Sequence, residues 1–159
     1  MANKVHNLIT VKNTGKGFKE LRQYFERFEE YDNFNGANDV HNDLLVQIKK
    51  AFRINVIDIA NDEYQIQFLT NWSPAEEIFE AIPKQFPEIT IALDIMSMES
   101  NLIGTGGYGP DYPFTIFGYF HMFDNRESGD LTKITLPKDL SDFFKRFIYK
   151  PFNWDYQIG

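Results

Sequence analysis

The stretch YQIQFLTNWSPAEEIFEAIPKQF, residues 64–86, decides how this chain is read. It opens with a period of two: Tyr64, Ile66 and Phe68 fall on one face of an extended segment, Gln65 and Gln67 on the other, as in a half-solvated strand. It closes with a helical stripe of Ile78, Phe79, Ile82 and Phe86. Between them, Ser73-Pro74-Ala75-Glu76 reads as a helix start. The Ser73 hydroxyl would accept from the Glu76 amide, Pro74 suits a first helical position that needs no N–H, and Glu76 would reach back to complete a capping box. Pro83 should kink or tighten the last turn, and Pro87 should stop the helix.

Outward from this unit, residues 52–59 are rich in β-branched side chains, and Asn61-Asp62 separates them from the strand at Tyr64, which predicts a hairpin. Downstream, Ile89, Ile91, Leu93 and Ile95 alternate with Thr90, Ala92, Asp94 and Met96, a strand packed on one face. Upstream, residues 5–12 form a first strand with Val5, Ile9 and Val11 on one face and His6, Leu8 and Thr10 on the other. A turn at Asn13-Thr14-Gly15-Lys16-Gly17 leads to a helix with Phe18, Leu21, Phe25 and Phe28 in one stripe. Residues 32–43 are polar and turn-rich and are assigned the longest loop, expected to be mobile, while residues 44–51 suit a short helix or a buried run leading into the next strand.

The order strand, helix, strand, strand, helix, strand is that of an α+β, ferredoxin-like split βαβ sandwich: an antiparallel sheet with helices on one face. The last third adds a glycine-rich stretch at 101–113 and a largely apolar strand at 114–123, expected to be central or well covered. A charged turn at 125–130, a short edge strand at 132–136 and a helix at 139–149 complete the extension. The chain is thus one domain, 1–159, with a core over 1–100 and an extension over 101–159 that ends in an aromatic tail suited to docking. At 159 residues a single core buries roughly 70% of the unfolded surface.

The chain has no cysteine, which removes disulfides, thiolate nucleophiles and cysteine-ligated metals, and fits a reducing bacterial cytoplasm. The N-terminus carries no apolar leader and no run approaches a membrane span, so neither export nor membrane insertion is expected. A net charge of −7, with basic residues scattered among acidic ones, argues against nucleic-acid backbones as partners and leaves another protein as the expected one.

From Phe68 to Gly109, the sequence offers Thr70-Asn71-Trp72-Ser73-Pro74 at a helix start, Phe86-Pro87 at its stop, and an acidic strand end running from Glu99 into the glycines up to Gly107. This arrangement resembles the YubB-like ferredoxin-like domain family of phage and plasmid proteins. The resemblance implies a ferredoxin-like fold and a mobile-element setting. It implies no reaction, so no catalytic residue carries over.

Gly104-Thr105-Gly106-Gly107-Tyr108-Gly109 spells G-x-G-x-x-G, yet Pro110-Asp111-Tyr112-Pro113 follows and forbids the helix that a phosphate cradle needs, which leaves a flexible loop or a glycine-broken strand. Asp39, His41 and Asp43 share a loop but supply too few oxygens for a hard cation. Asp94, Glu99 and Asp111 flank the glycines and would form an acid/base pair only at a suitable separation. No catalytic residue, cofactor or metal site is assigned. The candidate interaction or pocket residues are Trp72, Tyr108, Asp111, Tyr119, His121 and Trp154.

The leading expectation is a non-enzymatic protein of a phage, plasmid or integrated element that acts by protein–protein contact through an acidic or aromatic surface. One alternative is a single-strand nucleic-acid module using Tyr119 or Phe123 on the sheet. Another is a small hydrolase or transferase pairing His121 with Asp124 or Asp111.

Overall fold

The computed structural model describes residues 3–29, 43–97, 102–121, 134–136, 138–150 and 156–158; for residues 28–29, 112–121, 134–136 and 156–158 only the backbone is described. The expected loop at 32–43, apart from Asp43, and the charged turn at 125–130 lie outside the described residues. The elements are β1 (Lys4–Lys12), α1 (Phe18–Glu29), α2 (Asp43–Ile48), β2 (Phe52–Ala60), β3 (Glu63–Asn71), α3 (Glu76–Gln85), β4 (Thr90–Ser97), β5 (Leu102–Gly109), β6 (Tyr112–His121), β7 (Ile134–Leu136), α4 (Lys138–Phe144) and β8 (Tyr156–Ile158).

Six strands form one sheet in the order β2-β3-β1-β4-β5-β6, every neighbouring pair antiparallel. Its first four strands have the ferredoxin-like arrangement, with β1 between β3 and β4. The registers Val11↔Tyr64, Ile9↔Ile66 and Ile9↔Leu93 put the apolar residues of β1, β3 and β4 on one face. That face packs on Leu21 and Phe25 of α1, Leu44, Leu45 and Ile48 of α2, and Ile78, Phe79 and Ile82 of α3. The short helix expected at 44–51 is α2.

One of the two helix starts differs from expectation. The predicted Ser73–Glu76 capping box does not form: α3 starts at Glu76, its N-cap is Ala75, and no side chain of its own caps it. The cap comes instead from β1, where the buried Asn7 Oδ1 accepts from the Ala75 amide at 3.0 Å while Nδ2 donates to Val5 O and Thr70 Oγ1. A carboxamide with two oxygen lone pairs and two donors can serve three elements at once, which a serine hydroxyl cannot. At α1, Gly17 has φ +105° and its Cα faces the Phe86 ring and Ile89, so no larger residue fits this turn. Thr14 Oγ1 donates to Glu88 O at 2.6 Å and ties the same turn to the loop before β4.

The extension places α4 on the opposite, open face. There, cross-strand neighbours Ala92 and Gly107 are both small. A Cβ at Gly107 would run into the Phe143 ring, and one at Gly109 would press on Thr90. Leu140, Phe143, Phe144 and Phe147 are buried as a second apolar layer, with ring centroids 5.6 and 5.7 Å apart for Phe143–Phe144 and Phe143–Phe147. The strand at β4, read as packed on one face, is therefore covered on both over its first half, where Thr90 and Ala92 are buried along with Ile91 and Leu93. The buried Glu63 anchors the chain beyond α4, accepting from the Ile148 and Tyr149 amides at 2.9 and 2.7 Å.

Two other expectations for the last third are corrected and one is decided. The 104–109 stretch, open between a loop and a glycine-broken strand, is strand β5, its amides committed to β4 and β6. β6, expected to be central or well covered, is the last strand of the described six-stranded sheet, paired with β5 on one side. The helix expected over 139–149 spans only Lys138–Phe144; Arg146 and Phe147 amides bond three residues back, and the helix unwinds where Glu63 captures the next amides. The short strand expected at 132–136 is β7, which pairs in parallel with β8 from the aromatic tail.

Candidate functional site

The sheet separates the candidate residues along its length. The start of β1 and the ends of β3 and β4 share one end; the β5–β6 turn marks the other. Tyr108 and Asp111 belong to that second end, and both are engaged structurally. Tyr108 donates its hydroxyl to Pro87 O at 2.9 Å, and Asp111 pairs with Arg146 at 2.9 Å, tying the turn to the segment after α4. The backbones of Tyr119 and His121 lie opposite Gly104 and Leu102, toward the first end; their side chains and Trp154 are outside the description.

The pairing of His121 with Asp111 is overturned by topology. The two residues bracket the whole of β6, and ten residues of extended chain cover about 30 Å. Asp124 lies outside the described residues. Among the described residues no three His, Asp or Glu side chains gather as a metal-ligating group, and no helix is long and apolar enough to cross a membrane. On the open face, where a nucleic-acid-binding sheet would stack bases, Phe143 lies against Gly107 and Gly109 and covers that end of β5.

Trp72 stands apart from these residues. It follows β3 with φ +70°, a left-handed conformation that a bulky side chain rarely adopts, and its side chain is 66% exposed. Its amide donates to Asn3 O at 2.7 Å and the Ser73 amide to Asn71 O at 2.8 Å, so the corner is held by backbone bonds. Next to it α3 begins with Glu76, Glu77 and, one turn on, Glu80. Glu77 pairs with Lys50 at 2.6 Å, whereas Glu76 and Glu80 make no ion pair among the described residues. Partial burial, then the Glu80 and Glu77 charges, raise the Glu76 carboxyl above its ordinary range.

A second feature lies on the open face beyond the reach of α4. It is a cleft of about 590 Å³ floored by Leu8, Leu69 and Met96 and edged by Asp94, Arg53 and Tyr149. Register explains its composition: Leu8 pairs with Gln67 on one side and Asp94 on the other, and His6 with Leu69 and Met96. At the β2 side the ladder shifts between Phe52 and Asn55, and Arg53 takes φ +52° there, a bulge that breaks the strand alternation. At the β4 side, Asp94 Oδ1 is enclosed and has no hydrogen-bond partner. Desolvation pushes the Asp94 carboxyl well above its ordinary range, only partly offset by the Ile95 amide.

Sequence reasoning placed Asp94 beside the glycines as a possible acid/base partner, but Asp111 belongs to the far end, leaving Asp94 in the cleft instead. The legible signal was a lone carboxylate on the alternate face of an otherwise apolar strand. Asn7 and Arg53 gave no such signal, because a buried cap and a bulge both arise from strand pairing.

Sheet order, crossover helices and site together define an α+β domain of ferredoxin-like fold with a cleft and an aromatic corner but no assembled catalytic group among the described residues. Residues 51–111, from the start of β2 through the β5–β6 turn, match the family model of the ferredoxin-like domain in Api92-like protein. That segment contains Trp72, Arg53 and Asp94, so both features lie within the matched part. Neither the curated proteins nor the solved structures gave a match.

Proposed function

We propose that this chain is a non-enzymatic, protein-binding domain that docks a basic segment of its partner at the corner formed by Trp72 and the acidic start of α3. The exposed Trp72 carries this reading. Holding a bulky residue in the left-handed region costs about 1–3 kcal/mol, and an indole left in water returns none of that to the fold. A partner returns it, because Trp is among the residues that anchor interfaces and its face attracts Lys and Arg. Glu76 and Glu80 sit four residues apart on α3, a like-charge pair that is unfavourable until a cation lies between them. The net charge of −7 points to the same kind of partner.

The phage, plasmid or integrated-element setting belongs to this proposal as well and is supported by the sequence resemblance around Trp72-Ser73-Pro74 and Phe86-Pro87. Genes for mobile-element proteins beside the gene for this chain would bear it out; a conserved housekeeping neighbourhood would count against it. The docking corner is tested by affinity capture with wild-type and Trp72→Ala baits. A basic protein held by wild type and lost with Trp72→Ala is the expected result. Capture of nucleic acid alone, or of the same proteins by both baits, overturns the reading.

A further inference from the structure

We infer that the open-face cleft is a second, separate binding site, for a protonated amine or guanidinium carried on an apolar stem. Asp94 receives the cation, and Leu8, Leu69 and Met96 lie along the stem. Three observations on different strands converge on it. The cleft volume of about 590 Å³ is that of a small-ligand pocket. Its floor comes from adjacent strands β3, β1 and β4, about 4.8 Å apart, where Leu8 lies diagonally between Leu69 and Met96 and gives methylene groups an apolar surface. Directly opposite Leu8 sits a carboxyl that borders the cleft while its Oδ1, out of water, has no partner. An unmet acceptor of this kind is costly to keep, and a charge-assisted donor is the group that relieves it best.

The other charged and titratable groups around the cleft fit this polarity. Arg53 is on β2, three strand spacings from Asp94, about 14 Å between backbones. It makes no ion pair with Asp94. His6 on β1 is exposed and also leaves Asp94 unpaired, and Tyr149 closes the side toward α4. No cation among the described residues therefore occupies the place where a ligand's would bind. The cross-strand neighbour Thr105 also has an enclosed hydroxyl without a partner, so β5 supplies Asp94 with no substitute donor. Trp72 is not part of this cleft, which makes the site independent of the docking corner.

The test uses the full chain and four probes: n-hexylammonium and agmatine as cations, n-hexanol as the neutral counterpart, and hexanoate as the anion. Amide resonances are followed by NMR and affinities by calorimetry. Saturable hexylammonium binding that shifts Leu8, Leu69 and Asp94, at least about tenfold tighter than hexanol, is expected. Asp94→Asn should weaken hexylammonium about tenfold and leave hexanol unchanged, while Trp72→Ala should leave both unchanged. Preference for hexanoate, equal affinity for hexylammonium and hexanol, or no binding of any probe to wild type would overturn the inference. The comparison of probes on wild type decides the matter even if a variant folds poorly.

Discussion

Asp94, Glu63 and Asn7 are three polar groups removed from water, and they differ in whether the fold answers them. Glu63 is answered: its two oxygens accept from consecutive amides, so Glu63→Ala should cost about 1.5–3 kcal/mol in urea unfolding. The same substitution should speed amide exchange at Ile148 and Tyr149. Asn7 is answered by three partners, and removing it uncaps α3. Asp94 is not answered, and the consequence depends on pH. Its carboxyl is raised in the folded chain, so protonation favours folding. That stabilisation is complete below the ordinary carboxylate range near pH 4 and is lost as the pH rises through the raised folded value. Asp94→Asn has no charge to bury, so it should be more stable than wild type at pH 7, with the difference vanishing near pH 4. A stability gap of equal size at both pH values in urea unfolding would contradict this account.

At the scale of elements, α4 and the Trp72 corner show opposite balances of packing and strain. α4 is only seven residues long, too short to persist alone, and exists because Phe143 fills the hollow above Ala92 and Gly107. Phe143→Ala should cost about 3–5 kcal/mol, and Gly107→Ala about 1–3 kcal/mol through overpacking. The double variant should cost clearly less than the two together, because the added methyl then meets no ring. Additive costs would mean that the two residues do not share a contact. The corner, by contrast, carries strain without packing. Trp72→Gly should leave the fold as stable or up to about 1 kcal/mol more stable, while abolishing partner capture. A large loss of stability in thermal unfolding would make Trp72 a structural residue rather than a docking one.

For the whole molecule, a single sheet connects both apolar layers. The core under α1, α2 and α3 and the layer under α4 meet at β4, whose Ile91 and Leu93 are buried on one face and Thr90 and Ala92 on the other, so neither can be exposed without disturbing the other. Unfolding followed by near- and far-ultraviolet circular dichroism should therefore give one coincident transition; two separated transitions would mean that the extension folds as its own unit. The sheet also sets where binding is possible. α4 closes one end of the open face and leaves the other as the cleft, with Trp72 past the end of β3.

The sequence by itself determined the ferredoxin-like core, since period two in residues 64–68 and 89–95 and the helical stripes of α1 and α3 are local patterns that burial of one face enforces. It located Trp72 through the same Trp-Ser-Pro corner, though not the left-handed backbone that holds it, nor that α3 is capped from β1 rather than by Ser73. Those depend on which strands become neighbours. Only the tertiary structure decided the fate of the last third: the glycines were legible as either a loop or a broken strand, because the role of Gly107, admitting Phe143, is visible only when α4 is laid on the sheet. The cleft is of the same kind. Leu8, Leu69, Asp94 and Met96 come from three strands, and nothing local to any one of them says that their open faces meet where α4 stops.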